Sequence, residues 1–348
     1  MKQNITQQIK AEAFRLGFSA CGVAKAEPVD TSVAMVYKSW IEKGHCASMD
    51  YMRNNIEKRL NPCLLLPGAK SVISLAINYY PQQLLGEGQY QFAYYAYGKD
   101  YHDVMRDKMS LLLVYVKNLF KSSVLEENSS DVGSVAGEVK CPPEVSIGCL
   151  DGNADIDCKI CCDTVPVLDR YWAWKGGLGW IGKNTNLIIP GAGSYFFLGE
   201  IILTEELDYD TPMESRCGNC TNCLDACPTK ALRGPLNLDA RRCLSYLTIE
   251  HRGDIPAEHA SSLAPYVYGC DRCQLVCPYN RFAVPTNVEE FCPSSDFLSM
   301  RPSDWHGLSV EKYRTLFKGS AVKRAKYEGL VRNISHLSRF NEEDASLS

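Results

Sequence analysis

The sequence predicts an α/β domain over residues 1–205, a ferredoxin-like cysteine-rich domain over 206–292 and a helical, basic segment over 293–348. Three observations predict it. Strand-type and helix-type apolar patterns alternate through the first region. Eight of the 17 cysteines crowd between Cys217 and Cys277, and basic residues gather after Lys318.

The elements follow in order. Ile5, Ile9, Ala13 and Leu16 lie near one face of an opening helix, "SACGVAKA" and "KSVISLAIN" read as strands, and "YHDVMRDKMSLLLVYVKNLF" as a long helix. Glu126 to Asp157 is polar, glycine-containing and aperiodic, so it reads as a loop or insertion. Its Cys141 and Cys149, with Cys158, raise a third metal site, although their spacing matches no defined pattern. "PVLDRYWAWKGG" reads as a helix opened by Pro166 and closed by glycine, and "TNLIIP" as a short strand.

Between them, "GGLGWIGKNTN" satisfies G-x-G-x-x-G at Gly177, Gly179 and Gly182, and G-x-x-x-x-G-K ending at Lys183. Both motifs need a strand before the glycines and a helix after, so that phosphate meets a helix N-terminus. Here the order is reversed, and Asn184 lacks the hydroxyl a P-loop offers to magnesium. A helix C-cap leading into a strand is the better reading.

Composition is globular, with 45% hydrophobic and 22% charged residues. No apolar run approaches the ~18 residues of a membrane helix. The start, "MKQNITQQIKAEAFRLGF", lacks a signal-peptide apolar region and a twin arginine, so a cytoplasmic location without membrane contact is expected. The net charge of −4 argues against a uniformly basic nucleic-acid binder but leaves room for a local patch.

In a reducing compartment the cysteines point to metal ligation or catalysis before disulfides. "CGNCTNCLDACP" is C-x2-C-x2-C-x3-C-P, the bacterial ferredoxin run in which three close thiolates hold one [4Fe–4S] cluster and the fourth reaches across to another. The pattern assigns Cys217, Cys220, Cys223 and Cys277 to one cluster, and Cys243, Cys270, Cys273 and Cys227 to the second. Cys243 stands 27 residues before Cys270, which cluster chemistry permits because ligands need only converge in space. Zinc leaves the C-x3-C-P spacings unexplained.

Beyond the clusters, the blocks "RLNPCLLLPGAKSVI", "YGKDYHDVMRDKM", "ICCDTVPVLDRYWAWKGGLGWIGKNTNLIIPGAGSYFFLGEIILT", "LDARRCLSYLTIEHRG" and "FKGSAVKRAKYEGLVRNISHL" closely resemble the epoxyqueuosine reductase family. The insertion is the main departure. The resemblance implies a cobalamin and iron–sulfur enzyme, related to reductive dehalogenases, that removes the epoxide oxygen of epoxyqueuosine in tRNA anticodons. It makes the N-terminal region a cobalamin-binding domain and the glycine block part of a corrinoid pocket. It also implies a low-potential electron donor, which the sequence does not identify.

Opening an epoxide to an alkene consumes two electrons and expels oxygen, so an acid must supply a proton. By resemblance Asp163 is that donor. Without the family it reads as a helix N-cap or an acid, and burial among apolar neighbours would raise its pKa. The resemblance places Arg59, Lys183, Ser245 and Asp271, with Asp163, near the corrinoid, and Arg252 at a tRNA contact. Exposed arginines are otherwise usually solvated. His102 in "DYHDVM" follows a D-x-H-x-x-G cobalt-ligand signature except that Met105 replaces the glycine. No lower histidine ligand is expected, and His102 lines the substrate side or is a satisfied histidine at a helix start.

Between Lys318 and Arg339, the basic residues Lys318, Lys323, Arg324, Lys326, Arg332 and Arg339 face one acid, Glu328. That excess suits tRNA phosphates, with Lys323, Arg324 and Lys326 at its centre, or a solvated amphipathic helix. Two other classes stay open: a corrinoid dehalogenase-like enzyme on a small molecule, which normally carries a twin-arginine signal, and a plain iron–sulfur electron carrier, which needs only the cluster domain.

Overall fold

The computed structural model describes residues 2–129, 156–234 and 236–346. Cys141 and Cys149 lie outside the described residues, and with them the question of a third metal site; Cys158 opens a strand.

In chain order the strands are β1 (Ala20–Lys25), β2 (Ser71–Asn78), β3 (Gln91–Phe92), β4 (Cys158–Cys161), β5 (Trp180–Ile181), β6 (Leu187–Ile188), β7 (Phe196–Leu203) and β8 (Tyr266–Tyr268). The helices of the first region are α1 (Lys2–Arg15), α2 (Thr31–Glu42), α3 (Ile56–Leu60), α4 (Tyr101–Ser129) and α5 (Asp169–Lys175). Then come α6 (Asn222–Asp225), α7 (Leu244–Ile249), α8 (Ala257–Ala260), α9 (Arg272–Leu275), α10 (Ser295–Ser299), α11 (Pro302–His306), α12 (Val310–Leu316) and α13 (Lys326–Ser346).

The main sheet runs β1-β2-β7-β4, and every neighbouring pair is antiparallel. Strands and helices alternate in the chain as expected, yet the crossovers do not build a parallel sheet. Period-2 alternation gives each strand two apolar faces. Ile73, Leu75 and Ile77 of β2 pack with Ile201 and Leu203 of β7 against Ile9 and Ala13 of α1 and Met105, Met109 and Leu112 of α4. Val72 and Ile202 face the other way, onto Tyr171 and Trp172 of α5.

Close approach fixes where α5 lies. A Cβ on Gly22 of β1 would meet the carbonyl oxygen of Gly176, just past the end of α5, so the helix C-terminus rests directly on the strand. Pro166 does not open this helix. It begins at Asp169, because Asp163 takes a left-handed turn conformation (φ 53°) and the chain stays irregular until Leu168.

A second core joins Phe92 of β3, Tyr268 of β8, Leu244 and Leu247 of α7, Trp305 of α11, Phe317 just after α12 and Leu330 of α13. It brings cluster-region and C-terminal residues together around a parallel β3–β8 pair. Among the described residues, no helix is long and apolar enough to cross a membrane.

Candidate functional site

The cysteine motifs meet where α6 and α9 pack together. Cys277, from the second motif, lines one pocket with Cys217, Cys220 and Cys223 from the first, beside Lys183, Asn184 and Tyr279. In the other group burial pushes the Cys273 thiol well up, and Cys243, Cys270 and Cys227 add to the shift, so Cys227 faces the second set. No three His, Cys, Asp or Glu side chains among the described residues converge as one metal ion requires. Burial raises the Cys227 thiol, but the Thr229 hydroxyl and the Ala231 N–H, 3.3 Å from its sulfur, outweigh burial and lower it. Such bonds tune a cluster.

The glycine block braces this cradle. Lys183 Nζ donates to the carbonyls of Gly218 (2.7 Å) and Cys220 (2.9 Å), and Asn184 Nδ2 to that of Cys273 (3.3 Å). One side chain therefore ties down each cysteine loop. Its glycines allow close backbone packing: a Cβ on Gly179 would strike the Ile188 carbonyl, and one on Gly177 would lie 2.8 Å from the Thr211 carbonyl. Lys183, expected beside the corrinoid, is engaged at the first cluster loop.

Across the sheet, Asp163 sits on the turn between β4 and α5. Its Oδ2 accepts from Tyr101 Oη at 2.6 Å and lies 3.3 Å from His102 Nε2. His102 Nδ1 is 2.6 Å from Asp100 Oδ1, and Asp100 Oδ2 is 3.1 Å from Lys323 Nζ. The expected upward shift of Asp163 is corrected. The side chain is 59% exposed, and the hydrogen bond from His102, helped by Tyr101, holds its carboxyl below the usual range against desolvation. His102 is pushed up to about 9, chiefly by its bond to Asp100 and then by Asp163. An imidazolium flanked by two carboxylates results at neutral pH, with the proton on His102. His102 is the second residue of α4, and both of its ring nitrogens have partners, so it is a satisfied histidine at a helix start that also contacts Asp163.

Behind the turn, Glu200 of β7 is fully buried and pairs in register with Ser74 and Cys161. Desolvation, followed by the charge of Asp169 and a side-chain hydrogen bond with it, raises the Glu200 pKa well above the usual range. Asp169, in the first turn of α5, is pushed to about 6 by burial and by Asp163. A stack of rings leads away from the turn: Tyr101 lies 4.3 Å from Phe197, and Phe197 4.5 Å from Tyr79. Gln274, inside the second cysteine motif, then donates to Tyr79 Oη at 3.3 Å. Packed aromatics thus join the acid site to the cluster cradle.

The other residues expected near a cofactor are dispersed over neighbouring elements. Buried Arg59 donates to the carbonyls of Val167 (3.0 Å) and Tyr51 (3.1 Å), while its Nε has no partner. Asp271 is buried, accepts from the Tyr94 N–H at 2.7 Å, and is raised to about 7 by desolvation. Ser245 is half-buried in α7 beside Cys243. Sequence reasoning missed Tyr101 and Asp100. The Asp-Tyr-His run at a helix start was the available signal, but the return of the Asp163 turn over it is tertiary.

The basic segment is less free than its composition suggests. Arg332 donates to the carbonyls of Leu247, His251 and Gly253, and Arg252 to those of Ile249 and Arg324. Arg332 thereby braces α13 against α7 and the turn after it, while Arg252, itself exposed, ties the end of α7 to the segment before α13. Arg324 pairs with Glu250 at 2.9 Å and covers the Tyr51 ring. Lys318 and Lys326 are exposed. The side chain of Arg339 lies outside the described residues.

Comparison with known proteins supplies the family context. Residues 59–127 match the family model described as epoxyqueuosine reductase QueG, DUF1730, and residues 216–280 match the 4Fe-4S double cluster binding domain. An epoxyqueuosine reductase of Cellulophaga algicola is 40% identical over 97% of this chain and 99% of its own length. One from Pseudomonas aeruginosa is 36% identical over 95% and 84%. A crystal structure of epoxyqueuosine reductase with a tRNA-Tyr epoxyqueuosine-modified stem loop superposes with a TM-score of 0.80 at 28% identity, covering 96% of this chain and 80% of that one. A Bacillus subtilis structure, with an aspartate-bearing catalytic loop swung out of its active site, gives 0.79 at 28% identity over 96% and 80%.

Proposed function

The chain belongs to the epoxyqueuosine reductase family, and on that premise we propose that it reduces epoxyqueuosine to queuosine in tRNA anticodons. The observation that carries the reading is the acid site: an Asp163 carboxylate on an exposed turn, loaded by His102 and Tyr101, and joined through packed rings to the two-cluster cradle.

Converting an epoxide to an alkene takes two electrons and two protons and releases water. The clusters held by Cys217, Cys220, Cys223 and Cys277 and by Cys227, Cys243, Cys270 and Cys273 pass electrons one at a time from a low-potential donor. Cobalamin, when bound, supplies a strongly reducing, nucleophilic cobalt for the epoxide carbon. The donor set fits such a group: Arg59 keeps a buried, unpartnered Nε, and Asp271 and Ser245 flank second-cluster cysteines. These three residues are assigned to hold it.

The protein's own residues manage the proton. Asp163 relays one proton from His102 Nε2 to the departing oxygen, while Tyr101 keeps Oδ2 aligned, and solvent at the exposed turn supplies the second proton that completes the released water. His102 is then the reservoir and Asp163 the delivering group. Lys318 and Lys326 are assigned to tRNA phosphates, with Lys323 and Arg324 able to exchange their carboxylate partners for phosphate.

Anaerobic incubation of pre-reduced, cobalamin-loaded protein with epoxyqueuosine-containing tRNA, followed by nucleoside analysis, tests the proposal. Queuosine is expected stoichiometrically in a single turnover. Unchanged epoxyqueuosine, with both clusters and cofactor present by spectrum, overturns it.

A further inference from the structure

The charged chain at the acid site does not stop at His102. Asp100 is 7% exposed and divides its carboxylate between two cations: Oδ1 meets His102 Nδ1 at 2.6 Å and Oδ2 meets Lys323 Nζ at 3.1 Å. Lys323 comes from the basic segment, its side chain 59% exposed, and Asp100 itself is pinned because its N–H donates to the Gly319 carbonyl. Burial pushes the Asp100 carboxyl up, but the bonds from His102 and Lys323 outweigh it and hold the group ionised. A single buried carboxylate thus links a surface lysine to the reservoir proton.

We propose that Lys323 and Asp100 form a docking-sensitive arm of the acid site, in which a phosphate that draws Lys323 away leaves Asp100 to hold the proton on His102 more tightly. Resting on the tRNA reading above, this makes Asp100 and Lys323 positioning residues: neither touches the reacting atoms. While Lys323 is paired, its charge offsets part of the field that Asp100 exerts on the imidazolium. When a phosphate neutralises Lys323, that field acts on His102 in full, so the reservoir is charged when substrate is in place. The remaining groups near the pair are fixed by other contacts or already oriented: Arg106 sits by Asp103 one turn along α4, Arg170 stands near Asp163, and Arg324 is paired with Glu250. Only Lys323 bridges the tail and Asp100 among the described ion pairs.

The test is a pH titration of the histidine ring signals by NMR in the intact holoprotein, with the His102 signal identified by its loss in His102→Gln. In the free protein, Lys323→Gln should move the His102 transition upward by about half a unit to one unit, the scale of one partly screened charge several ångströms away. Binding of a tRNA-Tyr anticodon stem loop to wild type should produce a shift of the same sign, and in Lys323→Gln no further shift. Lys312→Gln, which alters an exposed lysine of α12 without an Asp100 contact, should keep the binding-induced shift. An unmoved His102 in free Lys323→Gln overturns the coupling. A stem loop that binds wild type and leaves His102 unmoved overturns its link to docking. Failure of the stem loop to bind counts against the tRNA reading instead, and the free-protein comparison still decides the coupling.

Discussion

His102 Nε2 stands 3.3 Å from Asp163 Oδ2 while Asp100 holds the opposite ring nitrogen at 2.6 Å, so Asp163 belongs to a chain of charged groups and is not a lone carboxyl. That arrangement gives Asp163 a testable role. Asp163 is outside any helix and has φ 53°, a conformation asparagine also adopts readily. Asp163→Asn should therefore leave the fold and the cluster spectra intact, and single-turnover epoxide reduction should fall by about 10²–10⁴, the usual cost of losing a general acid. Nucleoside analysis with pre-reduced protein makes the measurement, and a fall of only two- or threefold, on the order of a minor perturbation, removes Asp163 from the proton path.

The reservoir role of His102 sets the pH dependence. Its pKa is raised to about 9, so the imidazolium is present through neutral pH and is lost as pH rises through that value. Single-turnover rates should thus decline on the basic side near pH 9. His102→Gln keeps a hydrogen-bonding side chain without the titrating proton and should abolish that basic limb while lowering the rate. A limb that survives unchanged in His102→Gln assigns it to another group.

Cluster partition follows from the crossed cysteines. Anaerobically purified protein should contain about eight iron atoms per chain, as two four-iron clusters require. Cys277→Ser should perturb the cluster that shares its pocket with Cys217, Cys220 and Cys223, and Cys227→Ser the one facing Cys243 and Cys273. Electron paramagnetic resonance of the reduced variants distinguishes the two. Identical spectra, or zinc in place of iron, contradict the assignment.

The exposed lysines define the phosphate face more cleanly than the ion-paired ones. Lys318→Ala with Lys326→Ala should weaken tRNA binding and flatten its dependence on salt, because each phosphate neutralised contributes to the slope. Filter binding at several salt concentrations reads both quantities, and an unchanged slope takes these two lysines off the binding face.

Glu200 makes a prediction about stability alone. Its pKa is raised in the fold, so its contribution is fully present below the unfolded carboxyl range and is lost as pH rises toward the folded value. Glu200→Gln removes that titration. Denaturant unfolding of the variant should show a flatter dependence of stability on pH between about 5 and 8 than wild type. Parallel curves mean that Glu200 ionises no differently in the two states.

The sequence by itself determined the two cluster sets, the long α4 helix and the strands β1 and β2, because ligand spacing and apolar period are local, repeating signals. It also pointed to Asp163 and to the family. It did not determine which way the sheet runs, where α5 starts, or what the glycine block does. Strand direction depends on which edges meet, the α5 start on a left-handed Asp163, and the glycines on backbones elsewhere in the chain that leave no room for a Cβ. The tail shows the same division. Composition marked it as basic, but only packing decided that Arg252 and Arg332 bond backbone carbonyls while Lys323 reaches Asp100. The proton likewise sits on His102 because the fold returns a distant turn to the start of α4, and the resulting pair of carboxylates is a field that no linear motif encodes.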